Sequence, residues 1–155
     1  MKTLQYFSAI LAMVFFVPSF ADTVLTHESV SHLLDSVTAA VKKKDAREIA
    51  TYFTPDANIV LDMPPAMGGR IQATVPEYAA MLREAWSAPM KTTYDVYDVN
   101  ISIAPDGSSA TVTDVTVETI EMGGQRLETK SDERAEVVLY NGAPRISDLY
   151  AKLRM

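Results

Sequence analysis

The sequence predicts an α+β domain in which a strongly curved antiparallel sheet packs against about three N-terminal helices. Three observations carry this expectation. Apolar residues recur at helical spacing in the first half of the chain, and long strand-like stretches joined by glycine turns fill the second half. Within those stretches the apolar alternation slips. A period near 3.6 marks a half-buried helix and a period of 2 a half-buried strand. A slip of parity marks a bulge, and bulges bend sheets.

The helices come first. Val30, Leu33, Leu34, Val37 and Val41 share one side of a helix that Thr26 caps, with Glu28 in its first turn. Asp45 and Glu48 make a capping box for a second, short helix, with Ala46, Ile49, Ala50 and Phe53 on its apolar side. Thr54-Pro55-Asp56 ends it, and residues 57–62 follow as a strand. Residues 63–69 contain two prolines and two glycines and read as a loop. Thr74 and Glu77 form another capping box, with Pro76 in the first turn. This third helix runs to about Ser87, with Tyr78, Leu82, Ala85 and Trp86 on one side.

The strands follow as residues 92–103, 110–122, 126–140 and 145–153. Pro105-Asp106-Gly107, Gly123-Gly124 and Asn141-Gly142 turn one into the next. Tight turns between consecutive strands make an antiparallel meander. Val99, Ile101 and Ile103 share a face, but Tyr94 and Val96 fall on the other, and Val112 and Val115 also break parity. The sheet therefore curves, and the helices cover its concave side.

Composition narrows the function. With 155 residues the chain has room for one domain. Fourteen Lys and Arg stand against 20 Asp and Glu, and the only basic run is Lys42-Lys43-Lys44, so neither nucleic acid nor an anionic membrane is an expected partner. A hydrophobic share of 48% with 22% charged residues is that of a globular protein. There is no cysteine, which excludes disulfides, cysteine-ligated metal centres and thiol catalysis. His27 and His32 are five apart rather than the four of a helical metal pair, so no metal site is expected. No nucleophile elbow, phosphate-binding loop or dinucleotide fingerprint is present, and no cofactor is expected.

The N-terminus has the layout of a secretory signal peptide. Lys2 precedes an unbroken apolar run from Ala9 to Val17, Pro18 breaks the run, and Ser19-Phe20-Ala21 offers small residues for cleavage. The run is well short of the roughly 20 residues of a spanning helix. The expected organisation is a signal peptide over residues 1–21, cleaved after Ala21, and a single domain over 22–155. The product would be secreted or periplasmic and free of the membrane.

The order of elements, from about Val30 to Leu153, resembles the nuclear-transport-factor-2-like superfamily, in particular its SnoaL-like and ketosteroid-isomerase-like branch. The most specific stretch runs from Lys44-Asp45-Ala46 through Tyr52-Phe53-Thr54-Pro55-Asp56-Ala57. Asn141-Gly142-Ala143-Pro144-Arg145-Ile146 is similar to the final turn of these proteins, with Pro144 where many have tryptophan. The resemblance implies a cystatin-like cone with an internal pocket, used in different members for isomerisation, dehydration, ligand binding or protein binding. A homodimer is also implied, since many relatives pair.

It further implies a general base at the end of the first strand, a position matched by Asp62 in Asp62-Met63-Pro64, although one residue further along than the usual spacing. A carboxylate in an apolar pocket can shuttle a proton. The tyrosine such isomerases carry in the first helix falls, by ungapped counting, on Val37, which cannot donate. Their second acidic donor falls near Glu136. Asp114, where parity breaks, is a second candidate for acid–base work, and His32 in the first helix a third. Tyr52, Trp86, Tyr94 and Met63 are candidates to line the pocket, the residues from Met63 to Gly69 forming a lid or a plain connector. Three readings follow: a domain that binds a small, largely apolar molecule, an isomerase or dehydratase using Asp62, and a homodimeric interaction module.

Overall fold

The computed structural model describes residues 23–154. The expected signal peptide, residues 1–21, lies outside them. Helix α1 (His27–Lys42) and the short α2 (Ala46–Ala50) lead into strand β1 (Phe53–Asp62). Strand β2 (Arg70–Ala73) and helix α3 (Val75–Ala85) follow, then four long strands: β3 (Lys91–Ile103), β4 (Ser109–Met122), β5 (Gln125–Tyr140) and β6 (Ala143–Arg154). The sheet order is β2-β1-β6-β5-β4-β3. The meander from β3 to β6 is antiparallel throughout, as its turns predict. The sheet as a whole is mixed, because β1 returns beside β6 in parallel.

Local chemistry sets the boundaries. Thr26 Oγ1 accepts from the Ser29 amide while Ser29 Oγ accepts from the Thr26 amide, a reciprocal cap at the start of α1. Thr74 and Glu77 do the same for α3. At α2 only half of the expected box forms. Asp45 accepts from the amides of Arg47 and Glu48, but the Glu48 carboxylate accepts from the Tyr52 hydroxyl instead of turning back. The helix is correspondingly short, and β1 begins at Phe53, so Thr54-Pro55-Asp56 is strand rather than helix end. Strand β2 was not expected. Only four residues long, it is held by pairing with β1 from Ile59–Ala73 to Asp62–Arg70. The connector before it contains one 3-10 turn, Pro65–Met67.

Both central residues of the β4–β5 and β5–β6 turns have positive φ: Gly123 and Gly124 at 59° and 80°, Asn141 and Gly142 at 51° and 74°. This is the two-residue hairpin geometry that matches strand twist. Gly107 has a different reason to be glycine. At φ +69° an added Cβ would sit 2.8 Å from Val24 Cβ, where the chain before α1 crosses the β3–β4 turn.

The core lies between the helices and the concave face of the sheet. Val30, Ile59, Val112 and Val137 are its largest fully buried side chains, with Leu33, Ile49, Phe53 and Ile146 around them. The parity slip in β3 is a register shift between Tyr97 and Asn100, with Asp98 at φ 54°. Before it, Tyr94 and Val96 share a face with Glu118 and Thr116. After it, Ile101 and Ile103 share that face with Val112 and Ala110. The second slip has another cause. β4 pairs with β5 without interruption, so Val112 faces the core, Val115 faces outward, and Asp114 shares the inner face with Val112.

Candidate functional site

The concave face stops being apolar halfway along β4 and β5. Eight residues into each strand from the Met122–Gln125 pair that flanks the Gly123-Gly124 turn, Asp114 and Glu133 stand opposite one another. Both side chains border a cavity of about 530 Å³ between α1, α3 and the sheet. Leu34, Val37, Ile49, Phe53, Ile146 and Leu149 supply apolar wall, and Tyr78 supplies an aromatic one. The Phe53 and Tyr78 rings meet edge to face at 5.9 Å between centroids, which fixes the aromatic side.

The two carboxylates are short of donors. Thr116 Oγ1 donates to Glu133 Oε1 at 3.0 Å. Asp114 Oδ1 is buried and has no hydrogen-bond partner among the described residues. Burial pushes the Asp114 carboxyl up to about 6. Burial does the same to Glu133, pushing it up to about 7, with the neighbouring Asp114 charge adding to the rise and the Thr116 bond opposing it. Two phenols share this field. Burial first, and then the Glu133 charge, hold Tyr78 and Tyr94 well above the usual tyrosine range, so both keep their protons as donors.

Tyr94 and Trp86 border a smaller cavity of about 330 Å³, which shares Val41, Lys42 and Asp95 with the main one. At this shared boundary Lys42 Nζ lies 4.0 Å from Asp95 Oδ1. Tyr52 and His32 sit elsewhere, in an open cleft of about 420 Å³ between α1 and the start of β6. Tyr52 donates to Glu48 Oε1 at 2.9 Å, and burial and that bond both raise its pKa. His32 is exposed. Met63 is outside the cone cavity, with its methyl 3.7 Å from where a Cβ added at Gly68 would sit.

Asp62 requires a correction of place. Ile59 and Leu61 pair with Leu149 and Ala151 on the inner face, so Asp62 projects from the outer one. There it accepts a hydrogen bond from the Tyr150 hydroxyl at 2.9 Å, and the Arg70 guanidinium lies over the Tyr150 ring. The extra residue in its spacing has a simple consequence: a shift of one along a strand reverses the face. Glu136 is likewise on the outer face, bonded by Thr111 and Arg134. Ungapped counting from Ile146 misplaces it because Ser147 is an extra residue in β6, between the pairs Val137–Ile146 and Glu136–Asp148. Glu133 is the residue that sequence reasoning missed. The two-residue turn at Gly123-Gly124 was the signal that could have found it.

Among the described residues, no group of three or more His, Cys, Asp or Glu is arranged to hold a metal ion. Also among these residues, no helix is long and apolar enough to cross a membrane. No protein-family model matches the sequence, and no curated protein matches it significantly. Solved structures do match the fold. The chain is similar to an NTF2-like protein with a cystatin-like fold from Novosphingobium aromaticivorans, with 14% identity over 81% of this chain and 80% of that one and a TM-score of 0.65. It is similar to a hexachlorocyclohexane dehydrochlorinase (LinA, type 2), with 15% identity over 83% and 84% and a TM-score of 0.62. It is also similar to the CaMKII hub of S. rosetta, with 18% identity over 82% and 95% and a TM-score of 0.61. One of these is an enzyme and another a hub, so the likeness carries fold and leaves the role to the site. The cone of helices on a curved sheet is the NTF2-like, cystatin-like fold.

Proposed function

We propose that the domain is exported and holds a small, largely apolar molecule in its cone, with the polar end of that molecule against Asp114 and Glu133. One observation carries the reading. A cavity of about 530 Å³, within the range of small-molecule sites, has an apolar wall and ends at a buried carboxylate oxygen with no partner. A buried acceptor left unmade costs about 1–3 kcal/mol, and a ligand donor would recover it. Export rests on the layout of residues 2–21.

Native mass spectrometry on protein recovered from the exported fraction, without refolding, tests both parts. The expected result is a mature mass beginning at Asp22 and a bound small molecule. Ala135 is buried and borders the cavity, so Ala135→Leu should fill space and abolish binding while the fold persists by circular dichroism. Equal occupancy in that variant would overturn the reading.

A second reading is favoured by the same pair. Two carboxyls held near 6 and 7, beside two phenols that keep their protons, suit cofactor-independent proton transfer of the isomerase or dehydratase type. In this reading the base is Asp114 or Glu133 and Tyr78 is a donor in the cavity wall. Asp114→Asn or Glu133→Gln, whichever removes the base, would then abolish turnover while leaving the fold intact. A substrate consumed at the wild-type rate by both variants would exclude it.

A further inference from the structure

The charge around the cavity is lopsided. Its ionisable lining comprises Asp35 and Lys42 from α1, Tyr78 from α3, Asp95 and Tyr97 from β3, Asp114 from β4 and Glu133 from β5. Lys42 is the only cation among them and lies beside Asp95 at the boundary, with both side chains more than half exposed. No arginine or histidine borders the cavity among the described residues. Lys44 donates to the Met90 carbonyl at 3.1 Å, and its charge acts on Glu118, which borders the smaller cavity. Asp35, Asp114 and Glu133 therefore have no positive side chain opposite them inside the cone.

We propose that the molecule held in the cone carries a primary or secondary ammonium group on an apolar, preferably aromatic, body. This deepens the ligand-binding reading and rests on it. An anionic head would meet several carboxylates and no free cation. A hydroxyl could donate once to Asp114 Oδ1, but it would leave the charge of the pair uncompensated. An ammonium does both. Its N–H bonds can be divided between the unpartnered Asp114 Oδ1 and the Glu133 carboxylate, whose Oε1 holds only the Thr116 bond. A quaternary ammonium would supply charge without the N–H that Oδ1 lacks. The Phe53 and Tyr78 rings offer a π surface for the cation and the apolar body alike. The pair that burial makes costly to ionise becomes the counter-charge of the ligand.

The test uses three isosteric probes on the mature protein: 3-phenylpropylamine, 3-phenylpropan-1-ol and 3-phenylpropanoate, by titration calorimetry at pH 7.5 in 0.15 M salt. The amine should bind at least tenfold tighter than the alcohol, and the carboxylate should not bind. Amine affinity should rise between pH 5 and 7.5 as the pair ionises, with proton release on binding at pH 6. Asp114→Asn and Glu133→Gln should each cut the preference for the amine at least fivefold, and Ala135→Leu should remove amine binding. Alcohol binding as tight as amine binding, lost in Ala135→Leu, would overturn the ammonium proposal and leave the ligand-binding reading standing. Amine binding that survives Ala135→Leu would place it on the acidic surface and overturn the proposal. Failure of all three probes to bind would count against both.

Discussion

The β4–β5 ladder carries carboxylates on both faces, and the two faces treat them differently. On the outer face Glu136 receives two short contacts from the Thr111 hydroxyl and one from Arg134 at 2.9 Å. On the inner face, three residues earlier in β5, Glu133 has one hydroxyl donor, and Asp114 opposite it has an oxygen with none. Water could reach the outer pair, yet the protein supplies partners there. It supplies few where water is scarce. Folding gains nothing from burying an unpaired carboxylate, so the inner arrangement is a cost that the apolar core must carry. Such costs concentrate at sites that await a ligand or a substrate. The unpaired inner carboxylates support the proposed site on that face without appeal to any relative.

The largest expected effect removes the support for both faces. Ile59 is fully buried in the core, and Ile59→Ala should cost about 2–5 kcal/mol in urea unfolding. A loss below about 1 kcal/mol would mean that the cone is not packed as described.

Next in size is a pH dependence that belongs to the inner face. Asp114 and Glu133 have folded-state pKa values raised by burial, so the folded state binds more protons than the unfolded chain. Their favourable contribution is fully present below about pH 4, where the unfolded carboxyls are protonated, and is lost as pH rises through about 7. With partial solvent screening the loss should total about 2 kcal/mol, and Glu133→Gln should remove the Glu133 share of it and leave that of Asp114. Stability that rises steadily from pH 4 to 7 in the wild type and equally in Glu133→Gln would contradict the assignment.

The outer face should respond far less. Arg134 is mostly exposed, and Arg134→Ala should change stability by no more than about 1 kcal/mol and leave ligand binding in the cone unaltered. The smallest effect is expected at Asp62. Its hydrogen bond is the first cause of the raised Tyr150 pKa, so Asp62→Ala should let that phenol ionise at lower pH, read by ultraviolet difference titration. Loss of ligand binding in this variant would return Asp62 to the site.

Much of the fold was legible because its signals are local. The Thr26 and Thr74 caps, the glycine turns and the β3 parity slip each predict an element from a few adjacent residues, and each is found. What escaped was long-range. The parallel return of β1 beside β6 and the short β2 depend on pairings that neither strand encodes alone. The site failed through register. Asp62 and Glu136 are the right residue type on the right strands, but one extra residue in each count turns them outward. Asp114 was found through the break in apolar parity. Glu133 needed the register of the β4–β5 turn to be carried eight residues into the sheet. Tyr52 and His32 looked like pocket residues by type, but they sit on the side of α1 that faces the start of β6.

Carboxyl-detected carbon-13 NMR, followed from pH 3 to 9 on the ligand-free protein with Asp114→Asn and Glu133→Gln used to assign the resonances, tests the central claim most directly. The account predicts that Asp114 and Glu133 titrate with midpoints at about 6 and about 7, the Glu133 midpoint falling when Asp114 is neutralised. Midpoints for both near the ordinary carboxylate value of about 4, unaffected by the partner substitution, would mean that water solvates the pair and that the inner face holds no site of the kind described.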